Sequence, residues 1–485
     1  MSDEVDIIVV GYGAAGIAAA ITAHDAGAKV VVVEKGLIDA HTPNTRMSGG
    51  MVMVASDAVE ATAYLHACAD GMVPIDVSSA WAQRAVQLDA WMAETVGGLD
   101  MAAASGAEHS GFPGADAIVV LQPSGVGERL SAAGGAGPAL YDGLDAAAKR
   151  RDIDVRWATP ARRLLTDAEG RVTGVLCEGP DGIEVEIHAK ATVLCCGGYE
   201  YDETLKRDNL RTYPVHFYGN PGNTGDGVHM AQAVGASLWH MNQMIGRAMG
   251  HFELEDGTDL NVIISIGPPG YVITDRFGHR FADEHSQAML RHDFYYHLLL
   301  HDPVRNLKPR VPCFWFFDEA RRRAGPLTLT HFGAPAVGLY DWSPDNSKEI
   351  ERGCIARGDS IEEAARAAGI DDPAEAAATV AAYNAQCTAG DPDLLGRPAA
   401  TMVSLTEPPF YCVPLWPGGS NTTGGPRRNA HAQVLDPFDQ PIGGLYAAGE
   451  LGQASGMLYP ADGGNLSEAL CFGQIAVEHA LGLNT

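Results

Sequence analysis

The chain has no long apolar run and few basic residues, and each deficit excludes a class of protein. No stretch of about 20 apolar residues is free of charges or helix breakers, so the sequence predicts no membrane-spanning helix. Lysine and arginine number 33 against 61 aspartate and glutamate residues, which gives a formal net charge of -28. Because nucleic-acid binding needs a basic surface, this balance argues against it and favours a small-molecule substrate.

Cysteine is also scarce, and its nine residues form no CxxC or CxxCH motif. An odd, scattered set gives no support to disulfides, a zinc site or haem attachment. The first residues, MSDEVDIIVVGYG, pass from acidic residues straight into an apolar segment, without the basic region of a secretory signal. We therefore expect reduced cysteines, no metal and a cytoplasmic location.

The N-terminal segment has the pattern of a βαβ unit. An apolar run at residues 6–10 is followed by glycines, an alanine-rich helical stretch at 14–26 and a second apolar run at 29–33. Helices are predicted next, in the alanine-rich residues 59–106 and at 138–149. Strands that include a hairpin are then predicted from the apolar runs at 155–165, 171–178 and 183–196. A β-rich piece therefore follows the helices.

The middle of the chain differs in composition, with proline-marked turns and a polar helical stretch at residues 360–386. A strand-like run at 443–449 and a helix at 465–481 close the sequence. Since 485 residues exceed the usual size of one domain, we predict two domains. The first combines residues 1–240 with 405–485, and a cap domain, residues 241–404, is inserted between them.

Gly11-Tyr-Gly13-Ala-Ala-Gly16 lies between the first predicted strand and helix. Glycines at this spacing permit a tight turn and let backbone N–H groups at a helix N-terminus approach a pyrophosphate. Glu34, which ends the second strand, is placed to bind a ribose hydroxyl. These features predict dinucleotide binding, and a glycine turn without a ligand is the alternative.

Several further motifs, in order, resemble the fumarate reductase and 3-ketosteroid dehydrogenase family of FAD flavoproteins over most of the chain. They are Ser48-Gly49-Gly50, Cys195-Cys-Gly-Gly198, Asn223-Thr-Gly-Asp-Gly227, Gly278-His-Arg-Phe-Ala-Asp-Glu284, Gly443-Gly-Leu-Tyr-Ala-Ala-Gly-Glu450 and Gly463-Gly-Asn465. The resemblance implies an α/β fold with a Rossmann-like FAD-binding domain and an inserted α+β cap domain that carries catalytic residues. It also implies a helix that begins at Gly463 and stabilises the charge of reduced flavin.

The motifs and the resemblance together name the expected FAD-binding residues. They are Gly11, Gly13, Ala14, Ala15, Gly16, Glu34, Lys35, Asn44, Thr45, Ser48, Gly49, Gly50, Ala161, Gly197, Gly198, Asn223, Thr224, Gly225, Asp226, Gly425, Gly449, Glu450, Asn465 and Leu466. His41-Thr42 resembles the segment that carries covalent flavin in respiratory members, but its distance to Gly49-Gly50 is longer than in those proteins. We therefore expect a non-covalent FAD.

Two positions separate this chain from the fumarate-reducing branch. Ser420 stands where those members carry a histidine, and the segment from Leu458 to Asn465 lacks their arginine. Both missing residues are cations that bind the dicarboxylate substrate. A fumarate site of the usual kind is therefore not expected.

Tyr459-Pro460 followed by Gly463 resembles the Tyr-Pro-Gly-Ala-Gly segment of 3-ketosteroid Δ1-dehydrogenases. In those enzymes the tyrosine hydroxyl and a glycine N–H bind the substrate's ketone. Two donors on a carbonyl oxygen stabilise the enolate that forms when an α-proton leaves. Tyr459 and Gly463 are therefore the catalytic candidates, and a packed aromatic at a turn is the alternative for Tyr459.

The resemblance implies a tyrosine base shortly after the motif that ends at Glu284, but the next four residues contain no tyrosine. Tyr295 and Tyr296 come later, on a predicted helix after Arg291 and His292. A phenol with a pKa near 10 needs help to act as a base at neutral pH. Either tyrosine is a candidate base or a core residue; Arg291, His292 and His297 rank lower.

Arg427-Arg428 follows Gly424-Gly425, and one of the two arginines is a candidate to bind a substrate carboxylate. The alternative is a surface pair at a strand edge. The role bears on substrate class, because a keto acid such as 4-oxocyclohexanecarboxylate needs a cation whereas a steroid needs an apolar cleft.

We predict an FAD enzyme that introduces a double bond α,β to the carbonyl of a cyclic ketone. A base removes the α-proton, Tyr459 and Gly463 hold the enolate oxygen, and flavin N5 accepts the β-hydride. The electron acceptor is external, since no haem, iron-sulfur or second nucleotide motif is present. The alternatives are an ene-reductase of the fumarate or urocanate type and a flavoprotein without turnover.

Overall fold

The fold is described from a computed structural model. The structure describes residues 3–483 apart from residues 98, 125–134, 256, 258, 266, 290 and 330–339. Its strands are β1 Asp3–Val10, β2 Val30–Val33, β3 Val52–Ala55, β4 Met101–Gly106, β5 Ile118–Pro123, β6 Asp154–Arg156, β7 Ala161–Thr166, β8 Val172–Glu178, β9 Glu184–Leu194, β10 His216–Phe217, β11 Leu238–Trp239, β12 Met244–Glu253, β13 Asp259–Val262, β14 Val272–Thr274, β15 Cys313–Asp318, β16 Ala356–Gly358, β17 Phe410–Thr422, β18 Gly425–Pro426, β19 Gln433–Leu435 and β20 Pro441–Ala447.

The α-helices follow the same chain order. They are α1 Ala14–Asp25, α2 Asn44–Met47, α3 Ala58–Ala69, α4 Ile75–Ala85, α5 Leu88–Thr95, α6 Ala136–Lys149, α7 Glu203–Asn209, α8 Asp226–Ala233, α9 Glu284–Ala288, α10 Phe294–His297, α11 Glu319–Arg323, α12 Ser347–Glu351, α13 Ile361–Ala368, α14 Pro373–Ala389 and α15 Gly464–Ala480. Among the described residues no helix is both long and apolar enough to cross a membrane.

The chain forms two compact units. Unit one comprises residues 1–210, 219–244 and 421–485, and unit two comprises residues 211–218 and 245–420. The predicted division at residue 404 differs from the end of unit two at 420. The reason is β17, because its residues 410–415 pair with β15 in the sheet of unit two.

Unit one is built on a mainly parallel sheet with the order β19-β20-β9-β1-β2-β6. The central strand β1 runs parallel to both β2 and β9. Its residues Ile7 to Val10 are all buried, as expected of a strand covered on both faces. Strands β7 and β8 form the predicted hairpin, which extends the sheet from β9. The α/β fold is confirmed.

The residues between 59 and 106 do not stay helical to the end. Helices α3, α4 and α5 cover most of that range, but residues 101–106 form strand β4, which pairs with β5. Strand β5 also pairs with β3, which gives a separate three-stranded antiparallel sheet. The helical expectation was wrong for β4 because alanine and glycine composition alone does not reveal a pairing partner.

Unit two contains a seven-stranded sheet in which β13, β12, β17, β15 and β14 follow one another. Strands β10 and β16 also pair with β17. The polar stretch predicted at residues 360–386 forms two helices, α13 and α14, since α13 ends at Gly369 in a left-handed conformation. Helix α14 then begins after Asp372, whose side chain accepts a hydrogen bond from the Glu375 N–H.

A buried ion pair connects helix α15 to the core of unit one. Arg428 and Glu468 bond directly, and neither side chain is exposed. The guanidinium also donates to the carbonyl oxygens of Gly452 at 2.9 Å and Ala447 at 3.0 Å, and it lies 4.2 Å from the centre of the Phe472 ring. The pair therefore ties α15 to the segment after β18.

Replacement of Glu468 by glutamine should lower the free energy of unfolding by about 3–5 kcal/mol, because Arg428 would remain buried without its counter-charge. Glu478, which lies on α15 as well, forms a partly exposed pair with Arg84 of α4 and provides the control. Glu478→Gln should cost about 1 kcal/mol or less. Urea unfolding measures both values, and equal losses would contradict this account of the buried pair.

Candidate functional site

The turn between β1 and α1 depends on glycine at two positions. Gly11 has a φ of +102°, and a Cβ there would lie 2.5 Å from the carbonyl oxygen of Cys195. A Cβ on Gly16 would lie 2.0 Å from the carbonyl oxygen of Gly11. Both distances are impossible, so the turn and the packing of α1 require these glycines.

Gly13 differs, because a Cβ there would meet only Thr45 Oγ1, at 3.5 Å, and the Pro43 side chain. Gly13 is the N-cap of α1, and no side chain caps this helix. The fold leaves room for a side chain at this position. A side chain there would, however, occupy the space that a phosphate needs at the helix N-terminus. The loop therefore fits the pyrophosphate of a dinucleotide.

Glu34 ends β2 beside this turn. Its carboxylate accepts hydrogen bonds from the N–H groups of Tyr12 at 2.8 Å and Gly36 at 2.7 Å, which fix its orientation. His41 lies next to it, with Nδ1 3.8 Å from Glu34 Oε1 and Nε2 3.1 Å from the Tyr12 carbonyl oxygen. His41 is thus beside the predicted ribose-binding residue, and the non-covalent attachment of FAD stays a prediction.

Predicted residues from three distant segments meet around Glu450. Asn44 Nδ2 lies 3.0 and 2.9 Å from the two carboxylate oxygens of Glu450, and Asn223 Nδ2 lies 3.3 Å from one of them. Thr45 Oγ1 accepts from the Ala14 N–H at 2.9 Å, which links this cluster to the first turn of α1. The fold therefore brings together residues that the sequence could only assign one by one.

A second group joins the end of β2 to α8. Lys35 Nζ lies 2.6 Å from Asp226 Oδ2 and 3.1 Å from Thr224 Oγ1, and Gly225 is the N-cap of that helix. Ser48 Oγ donates to the Thr45 carbonyl oxygen at 2.7 Å. The prediction assigned these polar groups to FAD. In the structure they bond to one another or to backbone groups, and these bonds hold the loops together.

The other predicted residues are mostly close-packed glycines and small side chains. Added Cβ atoms would lie 2.4 Å from Ala136 at Gly50, 2.6 Å from Asn223 at Gly197, 2.3 Å from Thr422 at Gly198, 2.3 Å from Gly452 at Gly425 and 3.1 Å from Ala15 at Gly449. Gly49 and Ala15 are buried, and Leu466 lies in the first turn of α15. Ala161 opens β7, which is separated from β1 by β8 and β9.

Glu200 is a buried acid that the sequence analysis missed. Its side chain is fully buried, and Oε1 accepts from the N–H of Thr422 at 2.6 Å and from its hydroxyl at 2.9 Å. Oε2 is buried without a hydrogen-bond partner among the described residues. The available signal was its position two residues after Gly198, at the end of a motif that was recognised.

Burial and the nearby charge of Glu200 raise the pKa of Glu450 to about 8, while the amides of Asn44 and Asn223 act in the opposite direction. Burial also raises the pKa of Glu200. Two carboxyl groups in one poorly hydrated place resist ionisation together. At neutral pH the pair therefore holds at least one proton, and a protonated carboxyl can donate a hydrogen bond as well as accept one.

Three carboxamides form a hydrogen-bonded ring at the start of α15. Gln453 Nε2 donates to Asn465 Oδ1 at 2.7 Å, and Asn465 Nδ2 donates to Asn421 Oδ1 at 2.7 Å. Asn421 Nδ2 lies 3.4 Å from Gln453 Oε1. The ring fixes the side chain of Asn465, which the sequence analysis had assigned to the flavin, and it adds two residues that carried no motif.

Tyr459 lies at the same helix N-terminus and is buried. Its hydroxyl oxygen accepts a hydrogen bond from the Asn465 N–H at 2.9 Å, and its ring lies against Gly464. Gly463 is the N-cap of α15 with a φ of +78°, where a Cβ would collide with Met51. The two predicted ketone-binding groups therefore occupy one helix N-terminus, the positive end of the helix dipole.

Tyr295 and Tyr296, the candidate bases, lie on α10 in unit two. Burial raises the pKa of Tyr295 well above 10, and burial raises the pKa of Tyr296 to about 12 although Arg211 acts to lower it. Both shifts move these phenols away from the pKa of a base at neutral pH. The prediction that one of them is the base stays untested and gains no support from these shifts.

Arg428 does not provide the cation suggested for a substrate carboxylate. Its guanidinium is buried and bonded to Glu468 and to two carbonyl oxygens. Arg427 pairs with Asp439 at 3.0 Å, and its side chain is partly exposed. The carboxylate-binding role proposed for this pair was therefore wrong for Arg428, because long-range contacts that the sequence does not reveal already use it.

Replacement of Gly13 by alanine should weaken FAD binding by about tenfold or more while leaving the fold intact, because the methyl group would enter the space available to a pyrophosphate. Gly111→Ala is the control, since a Cβ on Gly111 meets nothing within 4 Å. Fluorescence titration of the cofactor-free protein with FAD measures both affinities. Unchanged affinity in Gly13→Ala would place the cofactor elsewhere.

The cofactor-free protein should lose stability as pH rises from about 4.5 to about 8, because folded Glu450 keeps its proton through this range while the unfolded form releases it. Glu450→Gln should flatten this part of the curve, and the exposed Glu184→Gln should not. Thermal unfolding across the pH range measures the effect. An unchanged slope in Glu450→Gln would show that Glu450 ionises normally.

Comparisons with known proteins agree with this arrangement. A family model described as an FAD binding domain matches residues 6–466. A probable fumarate reductase of Shewanella frigidimarina is 27% identical over 509 residues, covering 99% of this chain and 75% of that protein. A 4-oxocyclohexanecarboxylate 2-dehydrogenase of Sinomonas cyclohexanicum is 26% identical over 559 residues, covering 97% and 92%.

Among solved structures, a 3-ketosteroid Δ1-dehydrogenase from Sterolibacterium denitrificans, in complex with 1,4-androstadiene-3,17-dione, superposes with a TM-score of 0.85. The match covers 100% of both chains at 23% sequence identity. At this identity the likeness establishes the fold and leaves the substrate to other observations.

Proposed function

Because this chain belongs to the FAD binding domain family, we propose that it uses FAD to introduce a double bond α,β to the carbonyl of a cyclic ketone. The chain is an FAD-dependent oxidoreductase acting on CH–CH groups. Bound FAD supplies the acceptor for a hydride from the β-carbon. The ketone substrate and the roles of individual residues are the proposal.

The observation that carries the proposal is the placement of Tyr459 and Gly463 at the N-terminus of α15. The Asn465 N–H donates a hydrogen bond to the Tyr459 hydroxyl oxygen, which holds the phenol at the first turn of α15. Donation of that hydrogen to a ketone oxygen, together with a Gly463 N–H, would stabilise an enolate. The helix dipole at this position favours the same negative charge.

The proposed proton and hydride transfers are consistent with this arrangement. A base removes the proton from the α-carbon, the electron pair moves onto the carbonyl oxygen, and the β-hydride leaves as the double bond forms. Tyr459 and Gly463 stabilise the oxygen without changing their own protonation state. Tyr295 and Tyr296 are retained as candidate bases, and either would need a partner that lowers its pKa when substrate is bound.

One relative and the absence of the two cations support a cyclic ketone as the substrate. The name of one relative, a 4-oxocyclohexanecarboxylate 2-dehydrogenase, gives a cyclic ketone as the substrate of that protein, which agrees with a ketone-binding Tyr459. An ene-reductase that runs the hydride transfer in reverse is the second candidate. The similarity to a probable fumarate reductase, 27% identical over 99% of this chain, favours the ene-reductase. Ser420 in place of a histidine argues against the ene-reductase.

Tyr459→Phe should slow flavin reduction by a saturated cyclic ketone by about 100-fold or more, because one donor to the enolate oxygen is lost. Anaerobic stopped-flow absorbance, with 4-oxocyclohexanecarboxylate and 3-ketosteroids as substrates, measures the rate. FAD content should stay unchanged.

Tyr64→Phe is the matched control, since the Tyr64 hydroxyl donates to the Pro460 carbonyl oxygen in the same turn but is not assigned to the ketone. It should keep a rate near that of the unmodified enzyme. Equal rates for Tyr459→Phe and the unmodified enzyme would mean that Tyr459 serves packing alone. Reoxidation of the reduced enzyme by fumarate or urocanate, with no reduction by any ketone, would favour the reductase.

A further inference from the structure

Glu200 and Glu450 are two acidic side chains of unit one that lie close enough for the charge of one to act on the other. Glu200 is fully buried, whereas Glu450 is half-buried. Asn44 and Asn223 donate hydrogen bonds to Glu450, and the N–H and hydroxyl of Thr422 donate to Glu200. Neutral donors therefore hold both carboxyl groups, and within the described part of the chain no cation bonds to either of them.

Buried carboxyl groups elsewhere in the described chain are better accommodated. Glu468 also has an oxygen without a hydrogen-bond partner, but it pairs with Arg428. Glu349 has no such cation, but both of its oxygens accept hydrogen bonds. Glu200 combines an unpartnered oxygen with the lack of a cation, and a second carboxyl group, that of Glu450, lies beside it. Two negative charges in this arrangement would be costly, so the pair is built to hold a proton.

Glu450 borders the first turn of α1, where the pyrophosphate of FAD is expected. Gly449 packs on this turn so closely that a Cβ would lie 3.1 Å from the Cβ of Ala15. Asn44, which holds Glu450, precedes Thr45, whose hydroxyl oxygen accepts from a backbone N–H of the same turn at 2.9 Å. A pyrophosphate there would add negative charge, and FAD would displace water from the exposed part of Glu450. Both effects disfavour ionisation of the pair.

We propose that Glu200 is a positioning residue that keeps a proton on Glu450, and that the protein binds FAD with this proton in place. Protonated Glu450 offers the cofactor an O–H donor in addition to its acceptor oxygens. Loss of the proton would place a carboxylate beside the phosphates and favour release of FAD. The affinity for FAD therefore depends on pH through two side chains of the binding domain. The ketone chemistry plays no part in this proposal.

Other charged groups near the pair do not offset its charge. Burial raises the pKa of the Cys196 thiol to about 12, so this group stays neutral. The remaining charged groups on the surrounding segments are already paired with one another; the pairs are Lys35 with Asp226, Arg46 with Asp142, Asp202 with His229, and Arg428 with Glu468. The pH response is therefore expected to come from Glu200 and Glu450.

The first test measures the affinity for FAD as a function of pH. Dilution of the FAD-loaded protein, followed by the fluorescence of released FAD, gives the Kd at each pH. Because the pKa of Glu450 is about 8 before FAD binds, the Kd should rise about tenfold between pH 7 and pH 9. The same Kd at both pH values would overturn the proposal.

Glu450→Gln imitates the protonated acid, because an amide is neutral and carries both a donor and an acceptor. Its Kd should stay level between pH 7 and pH 9 and lie within about threefold of the value for the unmodified protein at pH 7. If Glu450→Gln instead binds FAD much more weakly at every pH, the cofactor needs the carboxylate ion and the proposal is wrong.

Glu200→Gln keeps an oxygen acceptor for Thr422 and removes the acid. The pKa of Glu450 should then fall, so the rise in Kd should move to lower pH by at least about one pH unit, with the affinity at pH 5 unchanged. A purely structural role would weaken binding by the same factor at every pH, and that result would contradict the role given to Glu200.

Asp202→Asn is the matched control. It removes a carboxylate that caps α7 and pairs with His229, and the asparagine oxygen can still accept the N–H groups of the helix. Its pH profile should match that of the unmodified protein. Thermal unfolding establishes that each variant is folded. If Glu200→Gln does not fold, the profiles of the unmodified protein and Glu450→Gln decide whether FAD binds with the proton in place.

These measurements use no ketone, so their outcome is separate from that of the proposed function. A Kd that is independent of pH would refute the proton-linked binding of FAD and leave ketone oxidation in place. Failure of every ketone to reduce the flavin, together with the expected pH profiles, would refute ketone oxidation alone.

Discussion

The close approach of α1 and α15 is the constraint on which unit one depends. A Cβ on Gly473 of α15 would lie 2.5 Å from the carbonyl oxygen of Ala15 in α1, so these helices can pack only through small residues. Helix α1 begins after Gly13, which was assigned to the cofactor, and α15 begins after Gly463, which was assigned to the ketone. Packing of the two helices thus fixes the distance between the expected pyrophosphate site and the expected ketone site.

The polar groups near these helix starts are organised mainly by one another. Asn44 and Asn223 hold Glu450, and the ring of Asn421, Gln453 and Asn465 holds the first turn of α15. Such networks cost little when every member is satisfied, and they keep loop residues in a single arrangement. The cofactor would then bind to a site whose side chains are largely in place.

Much of unit one could be predicted from the sequence because its signals are local. The apolar run of β1, the glycines at 11 and 16, and the helix that begins near Gly463 all appear as expected. Strand β4 could not be predicted, because its residues are alanine-rich and only pairing with β5 makes them a strand. Local patterns identify elements, whereas pairing partners come from the whole fold.

The same difference between local and long-range signals applies to the candidate site. Motifs located Glu450, Asn465 and Tyr459, since each lies in a recognisable segment. Glu200 was missed because its importance comes from its burial, which is not visible in a sequence. The role of Arg428 was misjudged for the same reason, since its partner Glu468 lies 40 residues further along the chain.

The central claim is that a saturated ketone loses an α-proton and a β-hydride to this enzyme. The most direct test is anaerobic reduction of the bound FAD by a cyclic ketone carrying deuterium at the β-carbon, followed by mass spectrometry of the product. The account predicts an enone, slower flavin reduction with the β-deuterated substrate, and transfer of that deuterium to the flavin. Flavin that no cyclic ketone reduces, or a product that retains all of its β-deuterium, would contradict it.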